Sequence, residues 1–319
     1  MTSSSDRTIE ARNYMCQLGP GQKKELLLIS NEILMINRSY FPFPSMNASR
    51  HFLDDEGHYI KPHTILDTGD AAVVVHREDV AIKMAIVYKN DTLEKVEENR
   101  SKIRREQEAW RRIQPKFDSP VEGIVHCLAL RGDTIEMRYM SGGTLSKWLK
   151  SRARPSIDLQ RQWFRQLTIG LHNLHQHRII HSDILTRNIL LDGSLNVAIC
   201  DLGASSIMPI DTIMEDTMDE YNCSIWTDIC QLGLVFYEIV TGRETGISLY
   251  DNSGGDNSVA RFPSRDILPP VGTRIWARDI IETCWREGGY GAAGAAGILA
   301  KLDKFQGWRR RYDVSSIRV

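Results

Sequence analysis

The stretch 175–203, HQHRIIHSDILTRNILLDGSLNVAICDLG, constrains the fold of this chain more than any other segment. Two short apolar runs, Asn188–Leu191 and Val197–Cys200, have the length and composition of buried strands. The residues between them include Asp192, Gly193 and Ser194, which favour a turn. The pattern therefore predicts a tight β-hairpin.

Three polar residues fall at one end of this hairpin. Asp183 precedes the first strand, Asn188 follows five residues later, and Asp201 comes directly after the second strand. Aspartate is also common in turns, so each carboxylate alone would carry little information. Together, two carboxylates and an amide supply the oxygen ligands that Mg²⁺ takes, and protein-bound Mg²⁺ usually also binds substrate phosphates. The spacing predicts a magnesium site here.

The order of the other patterns predicts an α+β chain with two lobes. Residues 62–138 contain strand-like runs and one long charged helix from about 91 to Ile113, which ends before Pro115. Residues 143–305 are mostly helical and form the larger lobe. A cleft between two lobes is a common ligand site. The predicted helices of the larger lobe are 144–151, 158–177, 226–241 and 276–286.

The two ends of the chain lie outside this pattern. We expect residues 1–61 to form an N-terminal extension and residues 306–319 a C-terminal tail. Within the extension, the apolar residues of 22–37 recur at helical spacing, which predicts an amphipathic helix. These apolar residues are Leu26, Leu27, Ile29, Ile33 and Leu34.

Several segments resemble the eukaryotic-type protein kinase family. Residues 181–188 resemble the family's H-R-D with its asparagine five positions on, and residues 201–203 its D-F-G, here H-S-D and D-L-G. Residues 80–83 match V-A-I-K on the family's third strand, and residues 137–145 resemble its hinge. Two helices of the larger lobe also resemble the family's, at Trp226–Gly233 and Ile281–Trp285.

The resemblance covers about 62–305 and implies a bilobal protein-kinase-like fold that binds ATP and Mg²⁺. It implies that Asp183 accepts the proton of the substrate hydroxyl and that Lys83 holds the α- and β-phosphates. Leu185 stands where Ser/Thr kinases usually carry a lysine near the γ-phosphate, and Arg187, placed as in tyrosine kinases, would supply that charge, so the resemblance leaves the acceptor hydroxyl open. Glu106 stands where the family's helix glutamate pairs with the lysine, and Glu108 is the rival partner.

The resemblance also implies the ligand-binding positions. Asn188 and Asp201 would ligate Mg²⁺. Ala81 and Leu190 would enclose the adenine, with Val74 covering it. The other nucleotide-binding positions implied are Gly69 in the glycine-rich loop, Lys83, Glu106, and Met137, Tyr139 and Met140 at the hinge.

The chain departs from the family in its glycine-rich loop. The three glycine positions hold Asp67, Gly69 and Ala72, and Asp70 adds a further negative charge. Glycine at such positions lets backbone N–H groups approach phosphate closely. We therefore expect weakened ATP binding and weak activity.

Two further departures concern the segment that follows Asp201. Ser182 replaces the arginine of H-R-D, which in the family commonly docks a phosphorylated activation loop. Met218-Asp-Glu220 is the nearest match to A-P-E, and Ala292 stands where its partner arginine is expected. Because both halves of one ion pair are altered, no unpaired charge is left behind. We expect a shortened substrate-binding surface.

Composition and charge exclude several classes of protein. The 40 basic and 41 acidic residues give a net charge of −1, which argues against general nucleic-acid or anionic-membrane binding. No apolar run reaches the roughly 18–20 residues of a membrane span, and the N-terminus lacks a signal-peptide core. The six cysteines contain no CxxC pair, which fits reduced thiols. We expect an intracellular, cytoplasmic monomer.

Three functions remain open at this point. The first is an ATP-dependent protein kinase that acts on Ser or Thr, with an unidentified protein substrate. The second is a pseudokinase, a scaffold that still binds nucleotide. The third is a small-molecule phosphotransferase of the aminoglycoside or choline kinase type, whose H-G-D motif resembles His181-Ser182-Asp183.

Overall fold

The computed structural model describes the backbone of residues 26–29, 32–35, 52–54, 57–250 and 259–311, with side chains from 52 to 304 within those ranges. It divides the chain into two compact units, 1–50 and 51–319. The boundary predicted at 61/62 lies within the second unit and stays a prediction. Phe52 forms a β-bridge with Tyr88, and the two ring centroids lie 5.2 Å apart. These contacts attach the backbone around Phe52 to the rest of the second unit.

In the first unit the helix predicted over 22–37 is wrong. Strands β1 (Leu26–Ile29) and β2 (Glu32–Met35) pair antiparallel there instead, with Leu27 opposite Leu34. Short apolar runs fit a strand as well as a helix face, so periodicity alone does not separate them. Ser30 and Asn31, which separate the runs, are residue types that favour a turn. The rest of the predicted extension before residue 51 lies outside the described residues.

The small lobe of the second unit is an antiparallel sheet of five strands in the order β3-β4-β5-β7-β6. Alternate residues of β4 and β5 are buried on one face, among them Val73, Val75, Ile82 and Met84. This is the period-2 pattern of a strand, and the central strand β5 is covered on its other face as well, since Ala81, Lys83 and Ala85 are also buried. The strands are β3 (Ile65–Thr68), β4 (Ala72–Arg77), β5 (Val80–Ala85), β6 (Cys127–Arg131) and β7 (Thr134–Arg138).

One helix, α1 (Leu93–Ile113), packs on this sheet and matches the predicted charged helix. Its N-cap is Thr92, whose hydroxyl accepts a hydrogen bond from the Lys95 amide at 3.2 Å. Such a cap satisfies one of the free N–H groups of the first turn. The helix ends before Pro115, which cannot continue it.

The large lobe is mostly helical. Its central helix, α4 (Ile225–Thr241), is buried on nearly every side, as expected for a helix that is apolar all round. A capping box between Ser224 and Thr227 begins it, and Gly242, at φ 69°, ends it in the left-handed conformation that glycine adopts easily. The other helices are α2 (Leu145–Ser151), α3 (Ile157–Gln176), α5 (Arg278–Cys284) and α6 (Gly294–Arg311).

The predicted hairpin is present in the large lobe. Strands β10 (Ile189–Leu191) and β11 (Val197–Ile199) pair antiparallel, and β8 (Gly143–Thr144) adds a third strand. A separate pair is formed by β9 (Ile179–Ile180) and β12 (Ser206–Ile207). The α+β, two-lobed fold is confirmed. Helix α6 runs through 305/306, so the predicted start of the tail falls inside a helix, and residues 312–319 lie outside the described residues.

Helix α3 approaches the backbone before β6 closely enough to require glycine on both sides. A Cβ atom added at Gly170 would lie 2.4 Å from the carbonyl oxygen of Gly123. A Cβ atom at Gly123 would lie 2.4 Å from the Gly170 nitrogen, and Gly123 also has φ +77°. This contact sets the position of α3, which leads into the His181–Asn188 segment.

We expect Gly170→Ala to destabilise the fold by about 1–3 kcal/mol, the usual cost of overpacking. Helix propensity alone would give the opposite sign, because alanine is favoured over glycine by about 1 kcal/mol inside a helix. Urea unfolding measures the difference. Gly272→Ala is the matched control, since its Cβ would meet Ile275 Cγ1 at an ordinary 3.7 Å and should change little. Equal stability of the Gly170 variant and the wild type would contradict the close approach.

Candidate active site

A cleft of about 540 Å³ lies between the sheet and the large lobe, within the usual range for small-molecule sites. Strands β3 to β5, helix α1, the hinge and the β10–β11 hairpin all contribute side chains. The sequence-predicted residues that line it are Gly69, Val74, Ala81, Lys83, Glu106, Met137, Tyr139, Met140, Arg187, Asn188, Leu190 and Asp201. Asp183 is the one predicted site residue that does not line this cleft.

Lys83 on β5 joins two carboxylates that come from two other parts of the fold. Its Nζ lies 2.6 Å from Glu106 Oε2 on α1 and 2.8 Å from Asp201 Oδ1, which follows β11. Lys83 and Glu106 are buried, whereas 45 % of the Asp201 side chain is exposed. The buried Glu106 carboxylate therefore fixes the position of the lysine, and the partly exposed Asp201 carboxylate faces the cleft.

Burial and these ion pairs determine the protonation of the three groups. The charge of Lys83 lowers the pKa of Asp201 to about 2, so this carboxylate is ionised at neutral pH. Burial raises the pKa of Glu106, and Lys83 opposes that rise. Burial alone would lower the pKa of Lys83, but the two carboxylates more than offset it and hold the lysine protonated.

The buried face of α1 explains why Glu106 is the partner and Glu108 is not. Ile103, Glu106 and Trp110 recur at three- and four-residue spacing and are all buried, whereas Glu108 is exposed. The indole N–H of Trp110 donates a hydrogen bond to Glu106 Oε1 at 3.4 Å. The glutamate is thus held by two partners.

Asp183 is held at the base of the β10–β11 hairpin. Arg187 Nη2 lies 3.0 and 2.9 Å from the two carboxylate oxygens of Asp183. The Asn188 amide donates one hydrogen bond to Asp183 Oδ2 at 2.7 Å and another to the Asp183 carbonyl at 2.9 Å. About a quarter of the Asp183 side chain is exposed, so an incoming group can reach it.

The backbone that carries Asp183 is fixed from α4. We call residues 181–188 the catalytic loop. The fully buried Asp228 carboxylate accepts hydrogen bonds from the backbone N–H groups of His181 and Ser182, each at 2.8 Å, and lies 2.9 Å from His175 Nε2. Ser182 has φ +68°, a conformation that costs roughly 1–2 kcal/mol for a non-glycine residue. The buried contacts stabilise it.

The cleft contains basic side chains that sequence reasoning missed. Besides Lys83, five line it: Lys102, Arg105, Arg138, Lys147 and Arg187, of which only Arg187 was predicted. Six basic and four acidic side chains therefore surround the cavity, which favours an anionic ligand. Lys102 lies four residues before Glu106 and therefore on the same face of α1, and that spacing is the signal that could have identified it.

The loop between β3 and β4 uses the only glycine left from the glycine-rich pattern. The Gly69 N–H donates to the Ala72 carbonyl at 2.8 Å, so it closes the turn. Asp67 Oδ1 accepts a hydrogen bond from the adjacent Thr68 amide at 2.9 Å. This turn therefore offers fewer free N–H groups to a phosphate than a loop with three glycines.

The segment after Asp201 has the predicted departures. Glu220 and Ala292, which stand at the two positions of the altered ion pair, are both exposed. Asp219 anchors the segment instead, since its Oδ1 accepts from the amides of Tyr221 at 2.9 Å and Cys223 at 2.7 Å. The Trp226 indole also donates to the Glu215 carbonyl at 3.2 Å.

A family model described as "Protein kinase domain" matches residues 63–257, more than half of the chain. Among curated proteins, the chain is similar to "Mitogen-activated protein kinase kinase kinase dlk-1" of Caenorhabditis elegans. The two are 32 % identical over 123 residues, which cover 35 % of this chain and 13 % of that protein.

Two fungal proteins match longer segments. "Serine/threonine protein kinase ypkA" of Aspergillus fumigatus is 28 % identical over 202 residues, covering 56 % of this chain and 31 % of that protein. "Serine/threonine-protein kinase SCH9" of Saccharomyces cerevisiae is 31 % identical over 150 residues, covering 42 % and 18 %. The matched segments thus span less than a third of each of these three relatives.

We expect Lys83→Met to lower the free energy of unfolding by about 3 kcal/mol near pH 8, because Glu106 is left buried without its counter-charge. The loss should be smaller near pH 5. Without Lys83 the pKa of Glu106 rises further, and stability from a raised carboxyl pKa is complete below the unfolded-state pKa and lost as pH rises through the folded-state value. Urea unfolding from pH 5 to 8 measures this without adding salt.

Lys83→Met/Glu106→Gln serves as the paired variant, since it keeps the shape of the glutamate and removes the titrating group. Its stability relative to wild type should vary less with pH than that of Lys83→Met. A Lys83→Met variant with the same deficit at pH 5 and pH 8 would show that Glu106 is not the group left uncompensated.

Proposed function

This chain belongs to the protein kinase family, and we propose that it is an active kinase that transfers the γ-phosphate of ATP to a Ser or Thr hydroxyl of a protein. The observation that carries this is the contact of Lys83 with both Glu106 and Asp201 in a cleft that Asn188 also lines. The Ser/Thr acceptor is supported by two of the similar proteins, which are named serine/threonine protein kinases.

Asp183 is proposed to accept the proton of the attacking hydroxyl. A base must lie within hydrogen-bond reach of the proton it takes, and the partial exposure of Asp183 permits such an approach. Arg187 and Asn188 orient the carboxylate. Arg187 also places a positive charge beside the position where the transferred phosphate would carry negative charge.

Lys83 is proposed to hold the α- and β-phosphates. An ammonium group has three donors, and the contacts with Glu106 and Asp201 account for two. The third is left for a ligand in the cleft. The buried Glu106 restrains the Lys83 ammonium group, which would otherwise move with its flexible side chain.

Asn188 and Asp201 are proposed to hold Mg²⁺. Both amide hydrogens of Asn188 are used by Asp183, which leaves the amide oxygen as the available ligand atom. In the described part of the chain no group of three or more His, Cys, Asp or Glu side chains could hold a metal, so ligands from the nucleotide are needed. The bound cation would supply neutralisation of phosphate charge.

The adenine is proposed to lie between the apolar side chains of Ala81 and Leu190, with Val74 covering it. All three line the cleft, as do the hinge residues Met137, Tyr139 and Met140. Apolar side chains are the usual lining around the flat part of a small ligand. Positioning and charge neutralisation would then provide most of the rate enhancement.

A second candidate function is a nucleotide-binding scaffold without catalysis. One observation favours it: the Gly69 N–H is used inside the β3–β4 turn, and Asp67 and Asp70 line the cleft near it. These features weaken the contact with phosphates that precise transfer requires. Both candidate functions predict nucleotide binding, but only the kinase predicts turnover.

The remaining expectations stay predictions. They are a monomeric state, a cytoplasmic location, and the lack of nucleic-acid and membrane partners. Among the described residues, none of the helices is both long and apolar enough to span a bilayer.

We expect the wild-type chain to be stabilised by ATP only when Mg²⁺ is present, by about 2.7 kcal/mol at 100 times the Kd. Among degenerate peptide libraries with Ser, Thr or Tyr as the acceptor, it should phosphorylate those with Ser or Thr and not the one with Tyr. Asp183→Asn should lower kcat by about 10²–10⁴-fold, because an amide cannot accept the proton, and should keep the thermal shift. Thermal melting and transfer from γ-labelled ATP measure the two effects.

Asp211→Asn, at an exposed aspartate of the segment after Asp201, is the matched control and should keep both properties. A wild-type chain that binds ATP with no transfer to any acceptor would select the scaffold function. Transfer that survives unchanged in Asp183→Asn would remove Asp183 from the proposed role.

A further inference from the structure

Two side chains outside the cleft contact the backbone beside Asp183. Gln231 on α4 donates from Nε2 to the Ser182 carbonyl at 2.9 Å and accepts from the Ile184 N–H at 3.0 Å through Oε1. Tyr250 donates from its hydroxyl to the same Ser182 carbonyl at 2.8 Å. We propose that Gln231 and Tyr250 are positioning residues that hold Asp183 in place, which rests on the proposed role of Asp183 as the base.

The geometry of the Gln231 contacts makes them specific for Asp183. The Ser182 carbonyl belongs to the peptide group before the Asp183 Cα atom, and the Ile184 N–H belongs to the peptide group after it. Each peptide group is planar, so one contact to each fixes both planes. A single amide side chain thus restrains both backbone dihedrals of Asp183.

Tyr250 completes the contacts of the Ser182 carbonyl and connects them to a second segment. A carbonyl oxygen has two lone pairs, and Gln231 and Tyr250 each donate to it. The Tyr250 hydroxyl also lies 3.2 Å from Cys223 Sγ, next to the N-cap of α4. Burial raises the pKa of Tyr250, so the hydroxyl keeps its proton.

The surroundings show why the loop depends on these contacts. Ser182 is 3 % exposed and Gln231 is 4 % exposed, so a lost hydrogen bond there would not be replaced easily by water. Ser182 stands where the family resemblance places an arginine, and it holds the strained φ of +68°. The described contacts therefore order the loop from α4 and Tyr250, with no phosphorylated residue required.

The test compares Gln231→Met and Tyr250→Phe, each of which keeps the size of the side chain and removes its hydrogen bonds. The matched controls are Gln166→Met and Tyr237→Phe. Gln166 also makes two hydrogen bonds, to Asn196 Oδ1 at 2.8 Å and from the Val197 N–H at 3.0 Å. None of the described contacts of Tyr237 reaches the catalytic loop, and its ring packs on Trp285.

Two readouts are measured on the full chain. The first is kcat and the KM for ATP, where we expect kcat to fall by about 10- to 100-fold in Gln231→Met, as for a displaced catalytic group, with KM unchanged. The second is amide hydrogen exchange in the nucleotide-free protein. Exchange at Ile184 should be about tenfold faster in Gln231→Met, because its N–H loses its acceptor.

The two readouts separate failure of this proposal from failure of the proposed function. A wild-type chain without transfer, with faster loop exchange in both variants than in the controls, would reject kinase activity and support the positioning role. Exchange and kcat that match the controls in both variants would overturn the positioning role. A raised KM for ATP with unchanged kcat would also overturn it. If Gln231→Met does not fold, Tyr250→Phe decides on the same criteria.

Discussion

The buried carboxylate of Asp228 is the constraint on which the arrangement of the site depends. A carboxylate without solvent exposure costs several kcal/mol unless its oxygens are satisfied. Here two backbone N–H groups of the catalytic loop and His175 provide the partners. Because charge-assisted hydrogen bonds are short and strong, the loop is held against α4 in one conformation. Gln231, three residues on, extends the same helix face to the next peptide groups.

The ion pairs of Lys83 connect this large-lobe arrangement to the small lobe. Lys83 comes from the sheet, Glu106 from α1, and Asp201 from the end of the β10–β11 hairpin. A displacement of α1 would separate the buried Glu106 from Lys83, and a change in the Asp201 backbone, which has φ +62°, would remove the second carboxylate from the lysine. A Cβ atom at Gly203 would lie 3.1 Å from Asp201 Oδ1, so a side chain there would require this carboxylate to shift by a few tenths of an ångström. The lobes are thus coupled at the point where phosphates are proposed to bind.

Motif spacing predicted much of this arrangement, because hairpins and helix faces depend on nearby residues. The β10–β11 hairpin follows from local periodicity and the pairing of Glu106 follows from the family resemblance, and the structure contains both. The prediction of an N-terminal helix was wrong because Leu26, Leu27 and Leu34 fit the periodicity of a helix and that of a strand equally well. The role of Gln231 could not be predicted from sequence, because the sequence of an apolar helix does not reveal which group a polar side chain contacts. The contact of Tyr250 could not be predicted either, because it depends on how the fold brings this residue back to Ser182, 68 residues earlier in the chain.

The contacts that this cleft offers to an anionic ligand differ in kind from those of a glycine-rich loop. Backbone N–H groups bind phosphate by short, directed hydrogen bonds, and here the Gly69 N–H is already used. The basic side chains of α1, the hinge and α2 bring net positive charge to the cavity instead. Charges on exposed side chains act over several ångströms and are screened by salt. A polyphosphate in this cleft would therefore be held less by loop geometry and more by charge, with Lys83 as the one buried cation that is itself fixed in position.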